Sequence, residues 1–247
     1  MPENALNLAG FNEDVAENIL ENRRRFLKLF PYEFGKWALA GCWQVHGSEV
    51  RLINHFAEAK PAEDAHGDTI YCDAIVSNAP GVLAGVKTAD CVPILIGDPK
   101  TGAFAAVHAG WRGTLAEVAT KALKRMTAEY NTKPQAVRVA IGPAAASCCY
   151  EVGKDVIEPF KSRFPDQELF IQTSTDHACI NLLAANRSQL MLAGVDPEKI
   201  NIAPLCTMCR TDLFFSYRRE KSVQGKVGRL LSVIGRKNGE KGKWGTG

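Results

Sequence analysis

The sequence has no long apolar run. No stretch of its 247 residues approaches the roughly 18 consecutive apolar side chains that can cross a bilayer. Its first residues, MPENALNLAGFNED, are acidic and lack the basic start and apolar core of a secretory signal. Eight cysteines, scattered apart from Cys148–Cys149 and the C-x-x-C of Cys206 and Cys209, do not make a disulfide scaffold. Histidine is scarcer still. The chain has five and no H-x-H pair, whereas the blue-copper and trinuclear sites of a multicopper oxidase together need about ten His and a Cys. Internal repeats, low-complexity blocks and Pro/Ser-rich linkers are missing too. These absences lead us to expect a cytoplasmic protein with reduced thiols and no membrane partner.

What is present is ordinary for a globular chain: 46% hydrophobic and 23% charged residues. The net charge of +3 is too weak to imply a nucleic-acid partner. Basic residues gather at the end, with nine Lys and Arg against two Glu from Arg218 to Gly247. We read residues 236–247 as a flexible, solvated tail. With no boundary signal elsewhere, residues 1–247 are expected to form a single domain, and a monomer.

Asn12 is a plausible N-cap for a helix that Val15, Ile19, Leu20, Leu27 and Phe30 mark out before Pro31. Strand-like Trp37–Trp43 and Glu49–Asn54 flank QVHGS, which reads as a hairpin bend. The runs at 73–77, 82–86, 92–96 and 103–107 are short and continuously apolar, as in strands buried on both faces. Thr114–Tyr130 has one apolar helical stripe. Further strands are predicted at 136–141, 199–203 and 230–234, and further helices at 153–160 and 181–192. The intermixing predicts α/β architecture, a layered arrangement of mixed β-sheets packed with helices.

Three residues that could carry chemistry stand where strands meet loops: His46 in QVHG, Cys91 in TADCVPILI and His108 in AVHAGWRG. A lone His or Cys in such a place is more often structural. Here Gly47 and Gly110 leave room for a ligand, and Thr88, Asp90 and Arg112 add polar groups that a plain strand end would not need. Two imidazoles and a thiolate suit Zn²⁺ and leave a fourth tetrahedral position open, the mark of a catalytic site. One such metal per chain is expected, with copper disfavoured. The C-x-x-C has competing readings. A zinc ribbon needs a second pair, and Cys148–Cys149 are adjacent rather than spaced. Two loop thiols beside a site are the favoured account. Arg112, Arg210 and Arg229 are candidates for binding an anionic substrate.

Taken together, ALNLA, WQVHGSEV, CDAIVSNAPGVLAGVKTADCVPILI, AAVHAGWRGT, IGPAAASCCYEVG, LLAANRSQL and CTMCRTDLFFSYRRE resemble the polyphenol oxidase or laccase-domain family, later linked to purine nucleoside phosphorylase activity. The resemblance implies one layered α/β domain with His46, Cys91 and His108 as the metal ligands and catalytic centre. It also implies zinc-dependent phosphorolysis of adenosine, inosine, guanosine or methylthioadenosine, with adenosine deamination. Purine nucleoside and phosphate are thus the expected partners. The family pattern opens with a strand and an F-x-T-R-x-G-G segment, whereas Met1 here stands almost directly before ALNLA; that N-terminal strand is expected to be lacking. Other readings are a metal-free hydrolase with Cys91 as nucleophile and His108 as base, a copper polyphenol oxidase, a peptidoglycan-precursor editing enzyme, and a non-enzymatic zinc-stabilised binding module.

Overall fold

Alternation along two central strands decides how the layers stack. In β6 (Phe104–Ala109), Phe104 and Ala106 enter one buried cluster while Ala105, Val107 and Ala109 enter another. In β3 (Ala74–Ser77), Ile75 joins the first cluster, and Ala74 and Val76 join the second. Successive strand side chains point to opposite faces, so both strands have core on either side. That is what continuous apolar runs require, and all of β3 and β6 is buried.

The computed structural model describes residues 6–8, 14–30, 37–60 and 70–237. β3 and β6 belong to a six-stranded mixed sheet with β2 (Val50–Ile53), β5 (Val92–Gly97), β7 (Arg138–Ile141) and β11 (Ile200–Ile202), ordered β11-β7-β5-β6-β3-β2. One face carries α3 (Val118–Tyr130), whose Ala119, Ala122, Leu123 and Met126 are buried against the sheet. Each fully buried Leu, Met or Ile there contributes about 1.5–3 kcal/mol. The other face is covered by β1 (Ala38–Ala40), β4 (Val82–Thr88) and β12 (Leu230–Gly235), ordered β1-β4-β12. A third, antiparallel sheet joins β8 (Glu151–Gly153), β10 (His177–Ile180) and β9 (Phe170–Gln172), in that order. Together with α1 (Ala16–Leu27), α2 (Trp111–Leu115), α4 (Lys154–Arg163), α5 (Leu182–Leu192) and α6 (Tyr217–Gln224), six α-helices pack around the sheets among the described residues. The expected layered α/β architecture is what the molecule has.

Several local expectations change. QVHGS is not a hairpin bend, because β1 pairs with β4 in one sheet and β2 with β3 in another. The segment therefore crosses between layers, and His46 takes a left-handed conformation (φ 60°) on the way. The helix predicted at 114–130 is two helices, since Glu117 at φ 60° breaks the hydrogen-bond ladder between α2 and α3. α1 is present, but only Ile19 of its predicted apolar stripe is buried. Its expected cap, Asn12, and Pro31 lie outside the described residues. The third sheet and α6 were not anticipated: their strands are three or four residues long with no clear alternation. Arg236, where the basic tail was expected to begin, bridges to Pro80 and bonds the Asn78 carbonyl. The rest of that tail, residues 238–247, lies outside the described residues.

Candidate metal centre

β5 and β6 pair antiparallel, with Val92 opposite Ala109 and Pro93 opposite His108. This register brings Cys91, just before β5, beside the end of β6, although seventeen residues separate it from His108. His46 arrives from the other layer and is held by one side chain, Asp73. The Asp73 carboxylate accepts the backbone N–H groups of His46 (3.0 Å) and Gly47 (2.7 Å), and the His108 Nδ1–H (2.7 Å). Its carbonyl also accepts the His108 backbone N–H at 2.7 Å. Asp73 is fully buried, and four hydrogen bonds compensate for that burial.

The outcome is a convergent donor set. The ligand atoms of His46, Cys91 and His108 all lie within 4.8 Å of one another, and the two imidazoles meet edge to face with centroids 4.8 Å apart. With Nδ1 of His108 taken by Asp73, Nε2 is the nitrogen left for a metal, the carboxylate–histidine arrangement usual around metals. Burial pushes the Cys91 thiol up, but His108 and His46 bring it down to about 6. Burial pushes His108 down, yet the Cys91 thiolate and Asp73 raise it to about 9. A Cβ on Gly110 would sit 3.1 Å from His46 Cδ2 and 3.2 Å from Cys91 Sγ; glycine keeps that space clear. Donor chemistry, spacing and clearance all fit a borderline metal ion.

The three residues open onto a cleft of about 480 Å³, within the roughly 300–1,000 Å³ typical of small-molecule sites. Aromatic side chains Trp43, Trp111, Tyr150 and Tyr217 line it, as do the cations Lys87, Arg112, Arg218 and Arg229. Two of the three candidate anion-binding arginines, Arg112 and Arg229, thus line the cleft. Arg112 stacks on Trp111 at 4.2 Å, and Arg229 bonds the carbonyls of Val227 and Gly228 while lying over Tyr217. Buried Asn7, from the LNL segment, fixes the Arg229 backbone through its side-chain oxygen (2.9 Å). Arg210 is elsewhere. It is exposed, outside the cleft lining, and held at two points by Asp212. Arg218, another of the arginines near the C-x-x-C, does line the cleft; it lies over Tyr150 and bonds the Glu151 carbonyl.

Asp90, one of the polar groups that the sequence places beside Cys91, is already committed. Its carboxylate accepts Thr207 Oγ1 (2.7 Å), Ser216 Oγ (3.1 Å) and the Arg218 backbone N–H (2.8 Å). It ties three segments together instead. Asp73 was missed as a site residue. Its one signal was a carboxylate at the head of an apolar strand, CDAIVS.

The family model described as multi-copper polyphenol oxidoreductase laccase matches residues 1–237. The chain belongs to that family. It is 32% identical over 238 residues to purine nucleoside phosphorylase YlmD of Geobacillus stearothermophilus, covering 96% of this chain and 85% of that one. It is 35% identical over 178 residues to adenosine deaminase RL5 of an unknown prokaryotic organism, covering 71% and 68%. The crystal structure of YlmD from Geobacillus stearothermophilus superposes with a TM-score of 0.85 at 32% identity, covering 96% of this chain and 87% of that chain. The family description speaks of several coppers; the His and Cys donors in the cleft lining are His46, Cys91 and His108. Of the remaining histidines, His55 and His177 are outside the cleft lining and His66 lies outside the described residues. No helix among the described residues is long and apolar enough to cross a membrane.

Proposed function

We propose that this protein cleaves purine nucleosides by phosphorolysis and deaminates adenosine, with Zn²⁺ held by His46, Cys91 and His108. The observation that carries the reading is the meeting of that donor set with four aromatic rings and four cations in one cleft. Purine faces stack on aromatic side chains, and the cations suit phosphate. The single carboxylate in the lining, Asp90, has its oxygens engaged, so it offers an incoming anion little repulsion. Relatives bearing the names purine nucleoside phosphorylase and adenosine deaminase support both activities.

The bound metal would supply Lewis acidity, polarising a substrate oxygen or activating water. The chain supplies the rest. Asp73 fixes the His108 ring and the His46 backbone, so the ligands are set before substrate arrives. Arg112, Arg218 and Arg229 orient phosphate for attack at C1′ as the N9–C1′ bond breaks and the purine leaves with a proton. Deamination adds water at C6 and releases ammonia, so it requires no phosphate pocket. The eight free cysteines suit a reducing cytoplasm.

A second reading has an observation of its own. Cys91, His108 and Asp73 are disposed as a nucleophile, a base and the group that orients the base, and the lowered thiol favours a thiolate. It leaves His46 without a task. Incubating the protein with adenosine, with and without phosphate and before and after zinc removal, separates the two. We expect adenine and ribose 1-phosphate only with phosphate, inosine in either case, and neither product without zinc. Turnover that survives complete zinc removal would favour the cysteine nucleophile.

A further inference from the structure

Away from the cleft lining, the chain folds four sulfurs together. The Sγ atoms of Cys148, Cys149, Cys206 and Cys209 all lie within 4.8 Å of one another, although the two pairs are some sixty positions apart in sequence. We propose that these four cysteines form a second metal site, a closed tetrathiolate site for Zn²⁺ that staples the loop after β7 to the loop after β11.

Geometry is the first argument. Zinc–sulfur bonds of about 2.3 Å put the corners of a tetrahedron about 3.8 Å apart. Cys209 Sγ lies 3.6 Å from Cys148 Sγ and 3.2 Å from Cys149 Sγ. One sulfur approaching two others at once is the arrangement of a shared centre, since a disulfide would use only one of them. The second argument is the backbone around Cys206. Its sulfur accepts the Ala146 N–H at 3.4 Å, from the opposite loop. A backbone donor aimed at the first sulfur of a C-x-x-C favours its charged, metal-binding form. Third, four thiolates around Zn²⁺ leave a doubly negative complex, and the Arg219 guanidinium reaches the Met208 carbonyl inside the C-x-x-C at 3.3 Å.

The loops are already registered for such a staple. Ala144 bridges to Cys206, and the Thr207 N–H bonds the Ala144 carbonyl at 3.1 Å. Thr207 continues to Asp90, beside Cys91, and Cys149 is followed by Tyr150 of the cleft wall. With four protein ligands and no open position, the site is structural rather than catalytic. Its thiols would give up their protons on metal binding. This inference does not rest on the proposed reaction.

The test uses the whole protein purified under reducing, anaerobic conditions. Elemental analysis should find about two zinc ions per chain, one remaining in Cys209→Ser, one remaining in His46→Ala, and none when both changes are combined. In His46→Ala loaded with cobalt, thiolate-to-cobalt charge-transfer bands should persist, and Cys209→Ser should abolish them. Wild-type protein covers the case of a variant that does not fold. Exposed Cys148 and Cys209 should resist alkylation until a strong chelator is added. One zinc per chain with immediate alkylation of both thiols would overturn the proposal. So would a disulfide between Cys149 and Cys209 in protein kept reduced throughout.

Discussion

Asp73 and His108 are joined twice, main chain to main chain and side chain to side chain, each at 2.7 Å. Because the same carboxylate also holds the His46 and Gly47 N–H groups, one buried residue positions two of the three proposed ligands. Asp73→Asn keeps the shape but loses the charge that stabilises the ring N–H. We expect metal affinity at this centre to fall about 10–100-fold, measured by competition with a chromogenic chelator, with a near-native circular dichroism spectrum. Unchanged affinity would show that Asp73 serves only the fold.

Cys91→Ser should lose this metal and activity together, because a hydroxyl replaces a thiolate poorly on zinc. Gly110→Ala should act in the same direction but less severely, since its Cβ would crowd His46 and Cys91 by a few tenths of an ångström. Metal content and turnover measured on the same samples check both. Cys91→Ser that retains its metal here but is inactive would point to the thiol as nucleophile.

Without metal, Cys91 and His108 form a thiolate–imidazolium pair whose stabilisation depends on pH. The thiol falls from an ordinary 9.0 to about 6. Its contribution is complete above the unfolded value and lost as pH falls through about 6. The imidazole rises from 6.5 to about 9. Its contribution is complete below 6.5 and lost as pH rises through about 9. Between about pH 6.5 and 9 the two slopes oppose each other, so the melting temperature of chelated protein should stay nearly level across that window. Cys91→Ala removes the rising contribution and should tilt the profile; a pH profile identical to wild type would sink the pairing.

The cleft arginines should divide the two reactions. Arg112→Ala and Arg229→Ala should raise the KM for phosphate and slow phosphorolysis more than adenosine deamination, which uses no phosphate. Arg210→Ala should leave both nearly unchanged, because Arg210 is exposed and paired with Asp212. Parallel product assays by chromatography test this. An equal loss of both activities in Arg112→Ala would place that residue on the nucleoside instead.

Thr88 ends β4 in the cleft, 2% exposed, and its hydroxyl has no hydrogen-bond partner among the described residues. A buried, unpaired hydroxyl facing a ligand site is a natural donor to substrate. Thr88→Val should raise the KM for nucleoside up to about tenfold without lowering the melting temperature. A lower melting temperature with unaltered KM would make the hydroxyl a structural element.

Residue types and local pattern by themselves determined much of this molecule. The four apolar runs between residues 73 and 107 read as strands buried on both faces, and they are β3 to β6, because a strand between two layers must be apolar on both sides. His46, Cys91 and His108 stand out in the sequence because each is a reactive side chain where apolar pattern gives way to glycine and polar residues, and the fold brings their donor atoms together. Five histidines without an H-x-H pair argue against a multicopper centre from composition alone.

Pairing decided the rest. Nothing local distinguishes Asp73 from any carboxylate before a strand, because its role comes from His46 and His108 arriving from different segments. Arg210 and Arg218 look alike in sequence, yet Asp212 holds one outside while Asp90 and Tyr150 bring the other to the cleft. QVHGS suggested a hairpin because a short polar link between strand-like runs usually is one, but β1 and β2 belong to separate sheets. The clearest case is sulfur. An adjacent Cys pair and a distant C-x-x-C have no joint pattern along the chain, and only the parallel contact of Ala144 with Cys206 closes four thiols into one cluster. Periodicity and composition report the environment of each residue, whereas a site built from distant segments exists only once long-range register is set.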